Sequence, residues 1–408
     1  MLKGNAVVGQ SGGPTAAINA TLAGVIRGAQ AKHGEGVLGK IYGMRYGIEG
    51  FLREDLIDLT GLSAEELSVL ESTPAAALGS CRKKMTSPAK DPATYEKILS
   101  VLKKYDIRYF FYIGGNDSMD TVLKLSEYAA SSDYELYVVG VPKTIDNDLA
   151  VTDHTPGFGS AAKFVATTVK ELLRDINVYT VKAVTIVEIM GRDAGWLTTA
   201  AALPFRSGGI GPDLIYLPER AFDPDKFLAD VRAAQEKHPA VLVAVSEGAR
   251  LADGEYVGAG TQSGAVDVFG HKYLSGAGKV LEQLVRDNIG CKVRSMELSL
   301  TQRCAAHVAS ATDIRESVRI GAAAVDAACA GMTGVMMCFV RQPGKEYAVD
   351  IRPADIAGIA NAVRRVPDAY INEEGNGVTG ACLDYLLPLT LGECMPPYEN
   401  GCPVHFVF

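Results

Sequence analysis

The 408-residue chain has one tryptophan, six histidines and no CxxC pair among its eight cysteines. Scarce histidine and scattered cysteine leave little material for a zinc site, and in a chain of this length they read as reduced thiols. No apolar run reaches the ~20 residues that a membrane-crossing helix needs. The start, Met1-Leu2-Lys3-Gly4-Asn5, lacks the charged, apolar and cleavage regions of a secretory signal. A cytoplasmic protein is expected. An excess of positive charge is also missing, since the formal net charge is −8. Such a chain has no general attraction for DNA, RNA or anionic membranes. Neither a nucleic-acid nor a membrane partner is expected, and any site for a small polyanion must gather its cations locally.

What is present is a large potential core. Hydrophobic residues make up 48% and charged residues 22%, which suits two domains of ordinary size. Short apolar runs at 6–8, 109–113, 136–141, 183–189, 214–217, 240–245 and 334–340 are nearly continuous rather than alternating. That pattern predicts parallel strands covered on both faces. Helical patterns lie between them. Residues 15–26 put Ile18, Leu22, Val25 and Ile26 on one side, and Ser63-Ala64-Glu65-Glu66 reads as a capping box. Further helices are predicted over 225–237, 274–288 and 313–330. The rhythm is that of an α/β protein with two parallel-sheet domains sharing one cleft. Residues 366–397 have weak periodicity and are expected to pack on the second domain as a C-terminal elaboration.

The unusual residues collect directly after the predicted strands. Gly9-Gln10-Ser11-Gly12-Gly13-Pro14 follows the first run, and Gly114-Gly115-Asn116-Asp117-Ser118 follows the second. Pro142-Lys143-Thr144-Ile145-Asp146-Asn147-Asp148, Met190-Gly191-Arg192-Asp193 and Ser246-Glu247-Gly248 follow three others. In open α/β sheets ligands bind in the crevice at the carboxyl ends of strands, so five such loops point to one site. Glycine lets backbone N–H groups approach a phosphate closely, although each Gly-Gly alone is equally a tight turn. Neither of the first two loops is a Walker A sequence or a GxGxxG turn. In the third loop two carboxylates stand two residues apart. One is placed to accept a proton from an attacking hydroxyl and the other to face a metal. As an isolated segment it would be a solvated Asx turn. Arg192 is placed to grip a phosphate, or to form a surface pair with Asp193. Arg82-Lys83-Lys84 is either a solvated face or part of the site, and Arg294 and Arg303 flank the apolar stretch 296–300.

Taken together, these loops resemble the phosphofructokinase family from Gly9 to about Arg303. Ser11-Gly12-Gly13 looks like the family's first turn, Gly114 to Ser118 like its second phosphate loop, and Thr144-Ile145-Asp146-Asn147-Asp148 is its signature intact. The resemblance implies two Rossmann-like domains: a donor-binding one from 1–157 plus about 304–353, and a sugar-phosphate one from about 158–303 plus 354–408. It implies Asp146 as base for the sugar's 1-hydroxyl, with Arg192, Arg82 and Lys143 meeting the charge on the moving phosphoryl group. Gly12, Gly13, Gly115, Asp117, Ser118 and Lys143 would bind the donor. Thr144, Ile145, Asp146, Met190, Gly191, Arg192, Glu247, Arg294 and Arg303 would bind fructose 6-phosphate, with one of the last two arginines given by a neighbouring subunit of a homodimer or homotetramer. Asn116 and Asp148 would face Mg2+.

The donor implied is pyrophosphate. ATP-using members commonly carry Gly where this chain has Asp117 and Lys143. The carboxylate takes the room and repels the charge of an α-phosphate, and the lysine suits a short, highly charged donor. Rival readings are an ATP-dependent phosphofructokinase, a non-catalytic sugar-phosphate-binding subunit, and a lipid or NAD kinase. Three positions depart from the family pattern. Asn116 replaces a common Asp, Leu300 stands where His or Tyr is frequent, and Ala183, beside Lys182, stands where Arg is expected. The amide oxygen at 116 keeps a hard donor without its charge, which weakens metal binding.

Overall fold

The computed structural model describes residues 2–259, 276–344, 346–360 and 362–408. The first part of the chain runs β1 (Gly4–Gln10), α1 (Ile18–Gly34), β2 (Leu38–Met44), α2 (Gly47–Leu52), β3 (Leu56–Asp58), α3 (Ala64–Ser72), α4 (Pro92–Lys104), β4 (Ile107–Gly114), α5 (Asn116–Ala130) and β5 (Tyr137–Pro142). It continues with α6 (Phe158–Ile176), β6 (Ala183–Ile189), α7 (Trp196–Thr199), β7 (Leu214–Tyr216), β8 (Ala221–Phe222), α8 (Pro224–Lys237), β9 (Ala240–Ser246), β10 (Arg250–Leu251), α9 (Ala277–Asn288) and β11 (Lys292–Glu297). The last part holds α10 (Ala311–Cys329), β12 (Val335–Arg341), β13 (Val349–Asp355), α11 (Gly380–Leu386), β14 (Tyr398–Glu399) and β15 (Cys402–Pro403).

A seven-stranded sheet has the order β13-β12-β5-β4-β1-β2-β3, parallel except at its two edges, where β13 and β3 run antiparallel to their neighbours. A four-stranded parallel sheet has the order β11-β6-β9-β7. Both sheets are covered on both faces. In the first, Leu22, Val25 and Ile26 of α1 pack with Ile320 and Ala324 of α10 on one side, while Ile98 of α4 and Met119 and Val122 of α5 pack on the other. In the second, Val165 and Val169 of α6 lie in one layer and Phe227 of α8 and Leu281 of α9 in the other. Strands buried on two faces have no solvent side to make polar, hence their unbroken apolar runs.

All seven predicted strands form. Sequence patterning missed β2, β3, β11 and β13, which lie at or next to sheet edges, and the two-residue strands β8, β10, β14 and β15. β11 alternates exposed and half-buried residues along Lys292–Glu297, so it presents no continuous apolar run. The first helix begins at Ile18 rather than at residue 15, because the Thr15 hydroxyl already accepts from the Ala17 N–H in a local turn. The predicted start at Leu274 lies outside the described residues, and the helix there spans Ala277–Asn288. The capping box forms, with Ser63 Oγ accepting from the Glu66 N–H and the Glu66 carboxylate from the Ser63 N–H. The C-terminal segment joins the core of the second sheet through Val366, Ile371, Cys382 and Leu386, beside the buried Trp196. Among the described residues no helix is long and apolar enough to cross a membrane.

Candidate active site

The carboxyl ends of β1, β4 and β5 from one sheet and of β6 and β9 from the other open onto one cleft of about 720 Å³. Its first wall is the turn after β1. Gly12 has φ +76°, a left-handed conformation that glycine adopts without steric cost. The turn is tied down by the Gly12 N–H donating to the Cys81 carbonyl at 3.1 Å and by the Ser80 hydroxyl donating to the Gly12 carbonyl at 2.7 Å. These bonds place Arg82 beside the turn, and it lines the cleft with Lys84. The second wall is the start of α5. Gly115 caps it, Asn116, Asp117 and Ser118 form its first turn, and all four line the cleft. A helix N-terminus with free N–H groups and a positive dipole end favours an anion.

Lys143 forms the floor between these walls. It is 3% exposed, and its Nζ donates to the Gly13 carbonyl. Burial pulls its pKa down to about 8; the charges of Arg82 and Arg303 add to that, and those of Asp146 and Asp148 oppose it. Next along the loop, the Thr144 hydroxyl accepts from the Asp146 N–H at 3.1 Å. Burial raises the pKa of Asp146 against the pull of Arg192 and Lys143. It also raises Asp148 to about 7, helped by the negative charge of Asp146. Two carboxyls whose pKa values burial raises in one cleft are candidates for proton and metal chemistry.

On the opposite side, Gly191 has φ +144° and donates its N–H to Glu247 Oε1 at 3.3 Å, while its carbonyl accepts from the Ser246 hydroxyl at 2.6 Å. The loops after β6 and β9 are thereby knitted into one surface. Glu247 is pushed up to about 8, mainly by burial. The pair weighed for Arg192 forms: its Nε lies 3.1 Å from Asp193 Oδ2, and Arg250 holds the other oxygen of Asp193 at 3.0 Å. Both Arg192 and Asp193 nevertheless line the cleft, so the pair orients the guanidinium at the site rather than removing it.

Of the residues given a catalytic, binding or metal role from the sequence, all but two line the cleft. Gly191 supports the wall from behind through its bonds to Glu247 and Ser246. Arg294 is exposed on the edge strand β11 and does not line the cleft of its own chain. Several lining residues escaped the sequence reading, among them Glu188, Glu297, Ser299 and Gln302, while Lys84 and Asp193 were named only within a charge run and an ion pair. Gln302 is 1% exposed; its Oε1 accepts from the Met190 N–H at 3.3 Å and its Nε2 has no partner. Its neighbour Arg303 gave the only signal available.

A metal fits one corner. The Asn116 Oδ1 is buried without a hydrogen-bond partner, and Asp148 lines the same cleft. Among the described residues no group of three or more His, Cys, Asp or Glu is placed to hold an ion. Such sparse protein ligation suits a cation that keeps waters and takes substrate phosphate oxygens.

A family model described as phosphofructokinase matches residues 5–328. The chain belongs to the phosphofructokinase family. Phosphotransferases of this family generally need a divalent metal. A Methylococcus capsulatus protein named pyrophosphate–fructose 6-phosphate 1-phosphotransferase is 41% identical over 408 residues, covering 98% of this chain and 94% of its own length. A protein of the same name from Xanthomonas campestris is 43% identical over 406 residues, covering 99% and 96%. The crystal structure of a pyrophosphate-dependent phosphofructokinase from Nitrosospira multiformis matches with a TM-score of 0.89 and 39% identity, covering 98% of this chain and 95% of that one. The α/β architecture is thus the phosphofructokinase fold, and the chain is a phosphotransferase.

Proposed function

We propose that this cleft transfers a phosphoryl group from pyrophosphate to the 1-hydroxyl of fructose 6-phosphate, reversibly, giving fructose 1,6-bisphosphate and phosphate. The observation that carries the reading is Lys143, buried under the Gly12-Gly13 turn in the cleft that Asp117 of the α5 N-terminus also lines. A cation there serves a compact polyanion, and a carboxylate there opposes a third phosphate.

In this reading Asp146 accepts the proton of the 1-hydroxyl as its oxygen attacks the terminal phosphorus. The bridging P–O bond breaks and phosphate departs. Arg192, Arg82 and Lys143 meet the charge as it spreads over the transferring oxygens, which is where most of the rate gain in phosphoryl transfer lies. Asn116 and Asp148 would hold Mg2+, which would neutralise charge on pyrophosphate. Donor binding belongs to the half built on the seven-stranded sheet, residues 1–157 plus about 304–353. Sugar-phosphate binding, with Met190, Glu247 and Arg303, belongs to the other half. The enzyme works in the cytoplasm as a homodimer or homotetramer in which Arg294 serves a neighbour's site.

The deciding experiment is turnover of fructose 6-phosphate and magnesium with pyrophosphate or ATP in parallel. Turnover with pyrophosphate and little with ATP is expected; turnover with ATP alone would sink the reading.

A further inference from the structure

The loop that carries Asp146 and Asp148 turns on Asn147. Its φ is +54°, in the left-handed region that Asn tolerates best among residues with a Cβ. Its side chain is completely buried. On one side the loop is tied to its own continuation: the Thr155 hydroxyl donates to the Thr144 carbonyl at 2.7 Å, and the Thr144 N–H to the Pro156 carbonyl at 3.3 Å.

On the other side the restraints come from beyond residue 328, past the stretch that the family model matches. The Asn147 amide Nδ2 donates to Tyr385 Oη at 2.9 Å. The Arg364 N–H donates to the Asp148 carbonyl at 2.7 Å, its guanidinium to the Asn147 carbonyl at 3.4 Å, and Leu149 bridges to Val363.

Tyr385 is itself locked. Its hydroxyl donates to the Asp153 carbonyl at 2.6 Å and accepts from Asn147 and, at 3.3 Å, from Arg364, which uses its full hydrogen-bonding capacity. Arg341 lies 4.6 Å over its ring, donates to its carbonyl and pairs with Asp153. Neither Tyr385 nor Arg364 lines the cleft, so neither touches substrate.

We propose that Tyr385 is a positioning residue for catalysis: through the amide of Asn147 it sets the direction of the Asp146 and Asp148 carboxylates on either side. The C-terminal segment, which the sequence left without a role, is then part of the catalytic apparatus. Small misplacements of a reacting group cost large factors in rate, and this hydroxyl grips the only buried side chain between the two carboxylates. The inference rests on the reaction proposed above.

Tyr385→Phe keeps the ring and its contact with Arg341 and removes only the hydroxyl. The expected result is about a tenfold lower kcat, with KM for pyrophosphate and fructose 6-phosphate held within about twofold. Asn147→Gly keeps the left-handed turn and removes the amide, and the same loss is expected. The double variant should lose little more than either single one, because both cut the same link. An unchanged kcat in either single variant, or losses that multiply in the double variant, would overturn the proposal. If Tyr385→Phe does not fold, Asn147→Gly judges it alone by the same measure. Amide hydrogen exchange over residues 144–149 should quicken in both variants, and unchanged exchange also overturns it. That reading needs no turnover, so a wild-type enzyme inactive with pyrophosphate would refute the reaction and leave this test standing.

Discussion

Lys143 Nζ donates to the carbonyl oxygen of Gly13, joining the loop after β5 to the turn after β1. The lysine is buried, and Arg82 and Arg303 stand close enough to lower its pKa further. Three cations face one small space, and their mutual repulsion is relieved when a compact polyanion enters. Asp117, in the first turn of α5, lines the same cleft, and in the proposed reading it limits how long that polyanion is.

The first prediction follows from this pair. Asp117→Gly removes a carboxylate from the cleft wall, so ATP should gain at least weak activity and pyrophosphate should lose efficiency. Lys143→Met should damage pyrophosphate use without creating ATP use. The measurement is the ratio of kcat/KM for the two donors. If the two residues were only a solvated pair, worth about 0–1 kcal/mol, the ratio would stay where it was, and the donor argument would fail while the fold stood.

Asp146→Asn should fold normally and lose turnover by about 10²–10⁴-fold, the usual cost of losing a general base. Thr144 supports residue 146 through its hydroxyl, which accepts from the Asp146 backbone N–H, so an amide side chain replaces the carboxylate without breaking that bond. A thermal melt controls for folding. Turnover within a few-fold of the wild type would remove Asp146 from the base role.

Metal dependence should track pH. Asp148 has a folded pKa of about 7, above its ordinary 3.8. The folded state therefore holds this proton more tightly than the unfolded one. Its contribution to stability is full below the ordinary value and is lost as pH rises through about 7; Glu247, at about 8, acts with the same sign. In the proposed site magnesium would take Asp148 deprotonated, so its apparent affinity for the enzyme without pyrophosphate, whose own ionisation would blur the readout, should strengthen as pH rises to about 7 and level off above. Asn116→Asp should tighten the metal titration by adding charge beside the same corner. A flat pH dependence would take Asp148 out of the metal's surroundings, and an unmoved titration in Asn116→Asp would do the same for residue 116.

The central strands were legible because burial on both faces writes them as continuous apolar runs, and the loops because glycine and charge gather where those runs stop. β11 was not legible, because one of its edges and part of its face meet solvent. Asp193 was read as a rival partner of Arg192, whereas the fold makes it an orienting group by adding Arg250 from β10. Gln302 carries no signal of its own, since a buried glutamine looks like any surface glutamine until β6 brings the Met190 N–H to its oxygen. The hold of Tyr385 on Asn147 spans 238 residues, and no local pattern encodes such a contact.

Arg294 yields the last prediction. It matches a family arginine that binds the sugar's phosphate, yet it is exposed on the edge strand β11 and does not line its own chain's cleft. In the proposed reading it would serve the site only from a second copy of the chain, across an edge that would pair two subunits. Asp146→Asn and Arg294→Ala should each be nearly inactive alone. In a mixed dimer, the subunit with intact Asp146 receives an intact Arg294 from its neighbour, while the other site of the pair carries both lesions. Equal mixing with full subunit exchange should therefore restore about a quarter of the wild-type sites, as symmetry requires for a shared site. Exchange is verified by native mass spectrometry of differently tagged subunits, and activity is read on the exchanged sample. No recovery after verified exchange would mean that each chain completes its own site, and Arg294 would then be a surface residue of β11 with no part in binding the sugar.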